Sequence, residues 1–225
     1  MNFRLYKKVR NHIVSLLRLF TTSTILFVLL YYVNRAIQGP FSHSLFLGLA
    51  SFSFLIISII SWRLQPSKYA VLILYALLFC FFGDIIGPFW FMGGGTAFLI
   101  AHIFYFLAFK QLGITREFYK SFIIWFSLCL LFLFLLYHLA TVNVLNLFIY
   151  LTVLSLMIAG TFALRPGTPR NLLRLAAVLF FASDLALLAW NAEVASFYWL
   201  CYPLYYLSCI LFAWSPLFLF PSINK

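Results

Sequence analysis

Long apolar runs, separated by short groups of proline, glycine and basic residues, cover almost the whole chain. Runs of this length predict membrane-spanning α-helices, because the strands of a membrane barrel would alternate apolar and polar positions. The fourth run is short, since three consecutive glycines at 93–95 favour a turn before it, although a helix start near Trp90 remains open. The pattern predicts eight helices at roughly 14–36, 43–62, 69–88, 96–109, 120–138, 142–164, 171–190 and 196–215.

The composition agrees with an integral membrane protein. Of the 225 residues 65% are hydrophobic and only 8% are charged, and the mean hydropathy is +1.06, whereas soluble domains are about one quarter charged. We therefore expect one all-α membrane domain over residues 1–225, a polytopic helical bundle whose first span is not cleaved. The four cysteines lie inside apolar runs without a CxxC pair, so they are expected to be packing residues.

Basic residues account for the net charge of +11, and their positions indicate orientation in a membrane rather than nucleic-acid binding. With eight spans, fourteen of the fifteen Lys and Arg residues fall on the same side as both termini. Arg35 alone falls on the opposite side. Because cytoplasmic loops carry the excess of Lys and Arg, both termini are expected in the cytoplasm, at the inner membrane if the source is bacterial.

A weak internal repeat relates the two halves of the chain at an offset of 100 residues. This offset equals four spans, which predicts two parallel four-helix repeats related by an axis along the membrane normal. The third and seventh helices would then be equivalent, and an aspartate in each would face the other. The matching pairs are Pro66 and Pro166, Phe81 and Phe181, Asp84 and Asp184, Trp90 and Trp190, and Tyr105 and Tyr205.

Asp84 and Asp184 are acidic residues placed inside apolar spans. A carboxylate facing lipid would cost several kcal/mol, so each is expected to face the bundle interior or a water-filled cavity. Counted from the basic residues that begin their helices, both aspartates fall in the outer half of the bilayer. Apart from Arg35 at the outer edge, the helices contain no Lys or Arg in that outer half. Desolvation and mutual repulsion then favour a pair that shares one proton. Such a pair places a proton donor beside an anion, as acid-catalysed cleavage through a cationic intermediate requires.

Other polar residues are expected near the two aspartates, which are the candidate catalytic residues. No HExxH spacing and no Gly-rich phosphate loop occurs, so we expect no metal and no cofactor, although two Asp and one His remain a possible ligand set. A purely structural role, in which the aspartates bond across helices, also stays open. The candidates for binding or orienting a substrate are His102, Tyr105, Tyr202, Tyr205, Asn146 and Asn191.

Short motifs in these helices resemble the YhhN family of membrane proteins. The resemblance covers nearly the whole chain and fits the eight-helix count. The motifs that carry it are Gly83-Asp84, Ala101-His102-Ile103-Phe104-Tyr105, Ser183-Asp184-Leu185-Ala186-Leu187 and Tyr205-Tyr206-Leu207, with a first-helix opening at Leu17-Arg18-Leu19-Phe20-Thr21-Thr22.

The resemblance implies a lysoplasmalogenase, a hydrolase that cleaves the vinyl-ether bond of lysoplasmalogens to a fatty aldehyde and glycerophospho-ethanolamine or -choline. Asp84 and Asp184 would supply the acid and the anion, in an order that the sequence leaves open. His102, Tyr105 and Tyr205 would orient water or the ether oxygen. The implied partners are a lysophospholipid and membrane lipid. A proton-coupled transporter and a non-catalytic lipid-binding protein are the alternatives.

Overall fold

A computed structural model describes residues 3–39, 43–136, 144–166, 168–192, 194 and 197–219. Within these ranges the chain forms eight α-helices, each containing a segment long and apolar enough to cross a membrane. The predicted multi-pass helical architecture is thus confirmed. The helices are α1 Phe3–Ala36, α2 His43–Leu64, α3 Lys68–Ile86, α4 Phe91–Gln111, α5 Glu117–Leu136, α6 Val144–Phe162, α7 Arg170–Asn191 and α8 Tyr198–Leu219.

The glycine run at 93–95 is helical, so of the two starts that the sequence left open for the fourth helix, 96 was wrong and the one near Trp90 is confirmed. Helix α4 begins at Phe91, directly after Trp90. The reason is a close backbone contact between α3 and α4: a Cβ atom on Gly94 would lie 2.5 Å from the Cα atom of Gly87. Small residues let membrane helices approach this closely. Gly94 is therefore a packing contact between helices rather than part of a turn.

Helix α8 continues past Pro216, although the sequence predicted its end at 215. Proline has no amide hydrogen, so Pro216 cannot donate to the carbonyl of Phe212 four residues earlier. The hydroxyl of Ser215 donates to that carbonyl instead, at 2.7 Å. The polar backbone group is satisfied inside the bundle, as membrane helices require, and the helix extends to Leu219.

Most contacts between the described helices follow the predicted repeat, although α8 packs more closely against α1 and α3 than α4 does against the equivalent α5 and α7. Helices pair as α1 with α2, α3 with α4, α5 with α6 and α7 with α8. Helix α2 also packs against α3 and α8, and its counterpart α6 packs against α7 and α4. These equivalent neighbours are what two parallel four-helix repeats related by a two-fold axis would produce. They support the weak sequence repeat with independent geometry.

An aromatic core lies between the two halves and beneath the aspartates. The ring centres of Tyr105 and Phe212 are 4.4 Å apart, and Phe180 lies 5.8 Å from Tyr105 and 4.8 Å from His102. All four cysteines are free and buried, as is typical of cysteines that act as packing residues. Ser208 ties α8 to α7 by donating to the carbonyl of Ala176 at 2.7 Å. This packed layer holds α4, α7 and α8 in register below the site.

Candidate active site

One cavity of about 300 Å³ contains both aspartates. It lies among the last residues of α1, α3 and α7 and the first residues of α4 and α8. Asp84 is 5% exposed and Asp184 is 6% exposed, so both carboxyls lie at its buried end. The repeat predicted that these side chains would face each other, and the structure places them on the walls of the same cavity.

Asp84 is surrounded by hydroxyl groups. The Tyr205 hydroxyl donates to Asp84 Oδ2 at 2.8 Å, the Ser51 hydroxyl donates to the same oxygen, and the Tyr206 hydroxyl lies 3.2 Å from it. The hydroxyls of Ser51 and Tyr206 also reach the carbonyl of Leu47, at 2.8 Å and 2.9 Å. These two hydroxyls therefore have an alternative acceptor whenever Asp84 does not accept their protons.

Asp184 is paired with an imidazole and a phenol. His102 Nε2 lies 3.0 Å from Asp184 Oδ2, and the Tyr150 hydroxyl donates to the same oxygen at 2.9 Å. The ring of His102 is fully buried. Its other nitrogen, Nδ1, has no hydrogen-bond partner among the described residues. The sequence named His102 as a candidate near the aspartates, and helix α4 brings it against Asp184.

The two carboxyl sites follow the repeat in position and differ in chemistry. Asp84 on α3 takes its donors from α2 and α8. Asp184 on α7 takes its donors from the equivalent helices, α6 and α4. Among the residues that the structure describes, the side-chain partners of Asp84 are hydroxyls, whereas an imidazole contacts Asp184. Because the two carboxyls have separate hydrogen-bond partners, a proton shared between them stays a prediction.

A second cavity, of about 160 Å³, lies between α4, α6 and α7 and also reaches Asp184. Its lining is mostly aliphatic and aromatic, with Asn146 and Tyr150 as polar members. Gly95 contributes a gap to this wall, since a Cβ atom built on it meets no atom within 4 Å. Asp184 is thus at the junction of a mixed cavity and an apolar one.

The remaining predicted residues fall at different depths. Tyr202 and Asn191 line the larger cavity, Asn191 near its exposed mouth, where its amide donates to the carbonyl of Leu187 at 2.8 Å. Tyr105 lines neither of these cavities. It is fully buried in the aromatic core, with its hydroxyl 3.9 Å from the sulfur of Cys80. The structure therefore does not bring Tyr105 to the carboxyls as the sequence suggested.

The candidates named from the sequence did not include three of the groups that contact the carboxyls, Ser51, Tyr150 and Tyr206. Ser51 resembles the other small polar residues of α2, and Tyr206 is adjacent to the predicted Tyr205. The repeat offers no signal for them, because at the offset of 100 residues Ser51 corresponds to Leu151 and Tyr206 to Phe106, and neither of these is a strong hydrogen-bonding residue.

Fold and site together define a multi-pass membrane protein with two carboxyls in a buried cavity. The model of the YhhN family matches residues 45–216, which is most of the chain. The chain therefore belongs to the YhhN family, which contains lysoplasmalogenases. No curated protein and no solved structure matches the chain.

Proposed function

We propose that the protein hydrolyses the vinyl-ether bond of lysoplasmalogens, with Asp84 as the proton donor and Asp184 as the anion. One observation carries the proposal: the two carboxyls line one cavity but have different hydrogen-bond partners. Acid-catalysed cleavage of a vinyl ether needs a neutral acid and an anion at the same site. The choice of a vinyl ether as the bond that is cleaved rests on the lysoplasmalogenases of the same family.

The substrate would lie across the junction of the two cavities. Its alkenyl chain would occupy the apolar cavity between α4, α6 and α7, and its glycerol portion the larger cavity. An engineered apolar cavity of about 150 Å³ holds a benzene molecule, so about 160 Å³ accommodates several methylene groups next to the reacting bond. The alkenyl chain moves from an apolar bilayer into an apolar cavity, so its contacts with the cavity wall orient the substrate more than they add affinity.

Asp84 is suited to hold the proton because its partners tolerate its neutral form. When Asp84 is protonated, the hydroxyls of Ser51 and Tyr206 can turn to the carbonyl of Leu47. No buried donor then loses its acceptor, which would otherwise cost about 1–3 kcal/mol. All the hydrogen bonds seen at Asp84 go to Oδ2. Oδ1 is thereby left to present the proton to the substrate.

Asp184 is suited to be the anion because His102 favours its ionised form. With the proton on Nε2, His102 donates to Asp184, and the unpartnered Nδ1 carries only a lone pair. With the proton on Nδ1 the ring would bury a donor that has no acceptor among the described residues, which costs more. Tyr150 supplies the second donor to Asp184. Two donors then hold a negative charge beside the reacting carbon.

The proposed reaction consumes one water and regenerates both carboxyls. Asp84 transfers its proton to the β-carbon of the vinyl ether, and the double-bond electrons form an oxocarbenium ion stabilised by Asp184. Water adds to the cationic carbon and loses a proton to the carboxylate of Asp84. The hemiacetal then collapses, breaking the bond to the glycerol oxygen, which takes up the hydroxyl proton. The products are a fatty aldehyde and a glycerophosphodiester.

The test is aldehyde release from lysoplasmalogen by the purified protein in detergent, compared among wild type, Asp84→Asn and Asp184→Asn. Each variant keeps the side-chain shape, and each is expected to lose at least about 100-fold in kcat. A thermal unfolding curve like that of wild type shows that the fold is retained. Wild-type protein that releases no aldehyde, or variants that remain active, would falsify the proposal. Substrate uptake into sealed vesicles without hydrolysis would instead indicate a transporter.

A further inference from the structure

The mouth of the larger cavity carries a cation that the proposed reaction does not use. Among the described residues that line this cavity, Arg35 is the one with a basic side chain. Its guanidinium carbon lies 4.3 Å from the ring centre of Tyr198 and 5.6 Å from that of Trp190. Arg35 is exposed at the end of α1, whereas the carboxyls lie at the buried end of the same cavity.

Arg35 is held by aromatic faces rather than by an acid. Within the described part of the chain, the one ion pair joins His102 to Asp184, so no described carboxylate neutralises Arg35. Cation–π contact holds a guanidinium through its face and leaves the N–H groups at its edge available. That edge matches the oxygens of a phosphate, to which Arg donates two parallel hydrogen bonds.

The depth of the cavity fits a lipid whose phosphate stays at the mouth. Trp190, whose ring centre lies 5.6 Å from the guanidinium carbon of Arg35, follows Asp184 by six residues of α7, or ~9 Å at 1.5 Å per residue. One headgroup layer of a bilayer is roughly 5–8 Å thick, which is half of the difference between the whole bilayer and its hydrocarbon core. A phosphate at the mouth therefore allows the glycerol end of the same molecule to approach the carboxyls.

We infer that Arg35 binds the phosphate of the substrate lipid, so that the site selects single-chain phospholipids over neutral glycerol ethers. The inference rests on the proposed function and adds the headgroup contact to it. It also assigns the leaflet: the lipid approaches from the end of the bundle at which α1, α3 and α7 finish. That end carries Arg35 and lies opposite the loops rich in Lys and Arg.

Arg63 provides a matched control for the general effect of a stacked arginine. It lies in the last turn of α2, is exposed, and places its guanidinium carbon 5.1 Å from the ring centre of Trp62. Neither of the two cavities that reach the carboxyls includes it in its lining. If Arg35 acted only by anchoring the protein in the membrane or by general attraction of anionic lipid, replacing Arg63 would have the same effect as replacing Arg35.

The experiment measures binding without turnover, using ligands whose saturated ether bond is not cleaved by this chemistry. A saturated-ether lysophosphatidylcholine is compared with the same alkyl glycerol lacking phosphate, by ligand-induced thermal stabilisation in a non-ionic detergent. Arg35→Gln is expected to raise the Kd of the phosphate-bearing ligand about tenfold and to leave that of the alkyl glycerol unchanged. Arg35→Lys should recover part of the affinity because it keeps the charge but not the planar fork. Arg63→Gln should bind both ligands like wild type.

Three results would overturn the inference. The first is unchanged binding of the phosphate-bearing ligand in Arg35→Gln, and the second is an equal loss of both ligands, which would make Arg35 a structural residue. The third is an equal effect of Arg63→Gln, which would point to non-specific attraction. Binding through Arg35 without aldehyde release from lysoplasmalogen would refute the reaction and still support the phosphate site.

Discussion

His102 Nε2 lies 3.0 Å from the carboxylate of Asp184, whereas the described side chains that contact Asp84 are all hydroxyls. This pair makes the two halves of the site chemically unequal although the helices that form them are equivalent. In the proposed mechanism an imidazole that donates one hydrogen bond favours the anion at Asp184, while the hydroxyls around Asp84 accommodate its neutral form. The proposed division between acid and anion would then come from partners contributed by neighbouring helices.

Replacing His102 tests whether it acts as a neutral donor. In His102→Gln the amide can still donate to Asp184, so kcat should fall about tenfold; in His102→Leu it should fall about 100-fold. The KM should change little in both, because His102 contacts Asp184 and lies outside the lining of both cavities. Steady-state kinetics with thermal unfolding as the fold control makes the measurement. Equal losses in the two variants would contradict a donor role.

Tyr205 and Tyr206 should separate activity from stability. Tyr205 lines the cavity and donates to Asp84, so Tyr205→Phe should lower kcat about tenfold with little change in Tm. Tyr206 is buried and bonds to both Leu47 and Asp84. Tyr206→Phe should therefore cost about 1 kcal/mol of stability, with a smaller effect on kcat. Parallel activity and melting curves compare the variants, and the reverse ranking would count against this arrangement.

Gly95 should set the length of chain that the apolar cavity accepts. Since a Cβ atom on Gly95 meets nothing within 4 Å, a larger residue can enter the cavity without a clash at Cβ. Gly95→Leu should lower kcat/KM for long-chain lysoplasmalogens about tenfold more than for short-chain ones. Gly95→Ala adds one methyl and serves as the graded control. An equal loss for all chain lengths would show that the chain lies elsewhere.

Activity should decline as the pH rises. The donor must be neutral to protonate the vinyl ether, and raising the pH removes its proton, so the alkaline side loses the active form. The kcat/KM is measured by aldehyde trapping, with authentic aldehyde recovered at every pH to control for the trap. An alkaline optimum is incompatible with a carboxylic acid as the donor.

Reporter fusions test the orientation on which the leaflet assignment depends. Reporters placed after Lys225 and within the 63–68 loop should both report the cytoplasm, because the excess of Lys and Arg lies on that side. A reporter in the loop between α1 and α2 should report the opposite side. A C-terminal reporter on the outer side would contradict the charge argument and reverse the direction from which the lipid arrives.

The sequence predicted the number and order of helices because length and apolarity suffice to define a span in lipid. It could not predict which donors reach each aspartate. Rotation of a helix about its axis is set by packing against its neighbours, so Ser51 and Tyr150 show no distinctive pattern until the helices are assembled. The turn predicted at the glycine run was wrong for a related reason. Glycine favours a turn in isolation, and only the facing Gly87 makes it a contact surface.

The internal repeat has a consequence for how such a site can be built. Two identical four-helix subunits would place the same partner beside each acid, so neither could specialise. One polypeptide carrying both copies removes that constraint, because each position can be exchanged on its own. Because the two halves belong to one polypeptide, the imidazole of His102 can lie beside Asp184 while hydroxyl groups occupy the corresponding place beside Asp84.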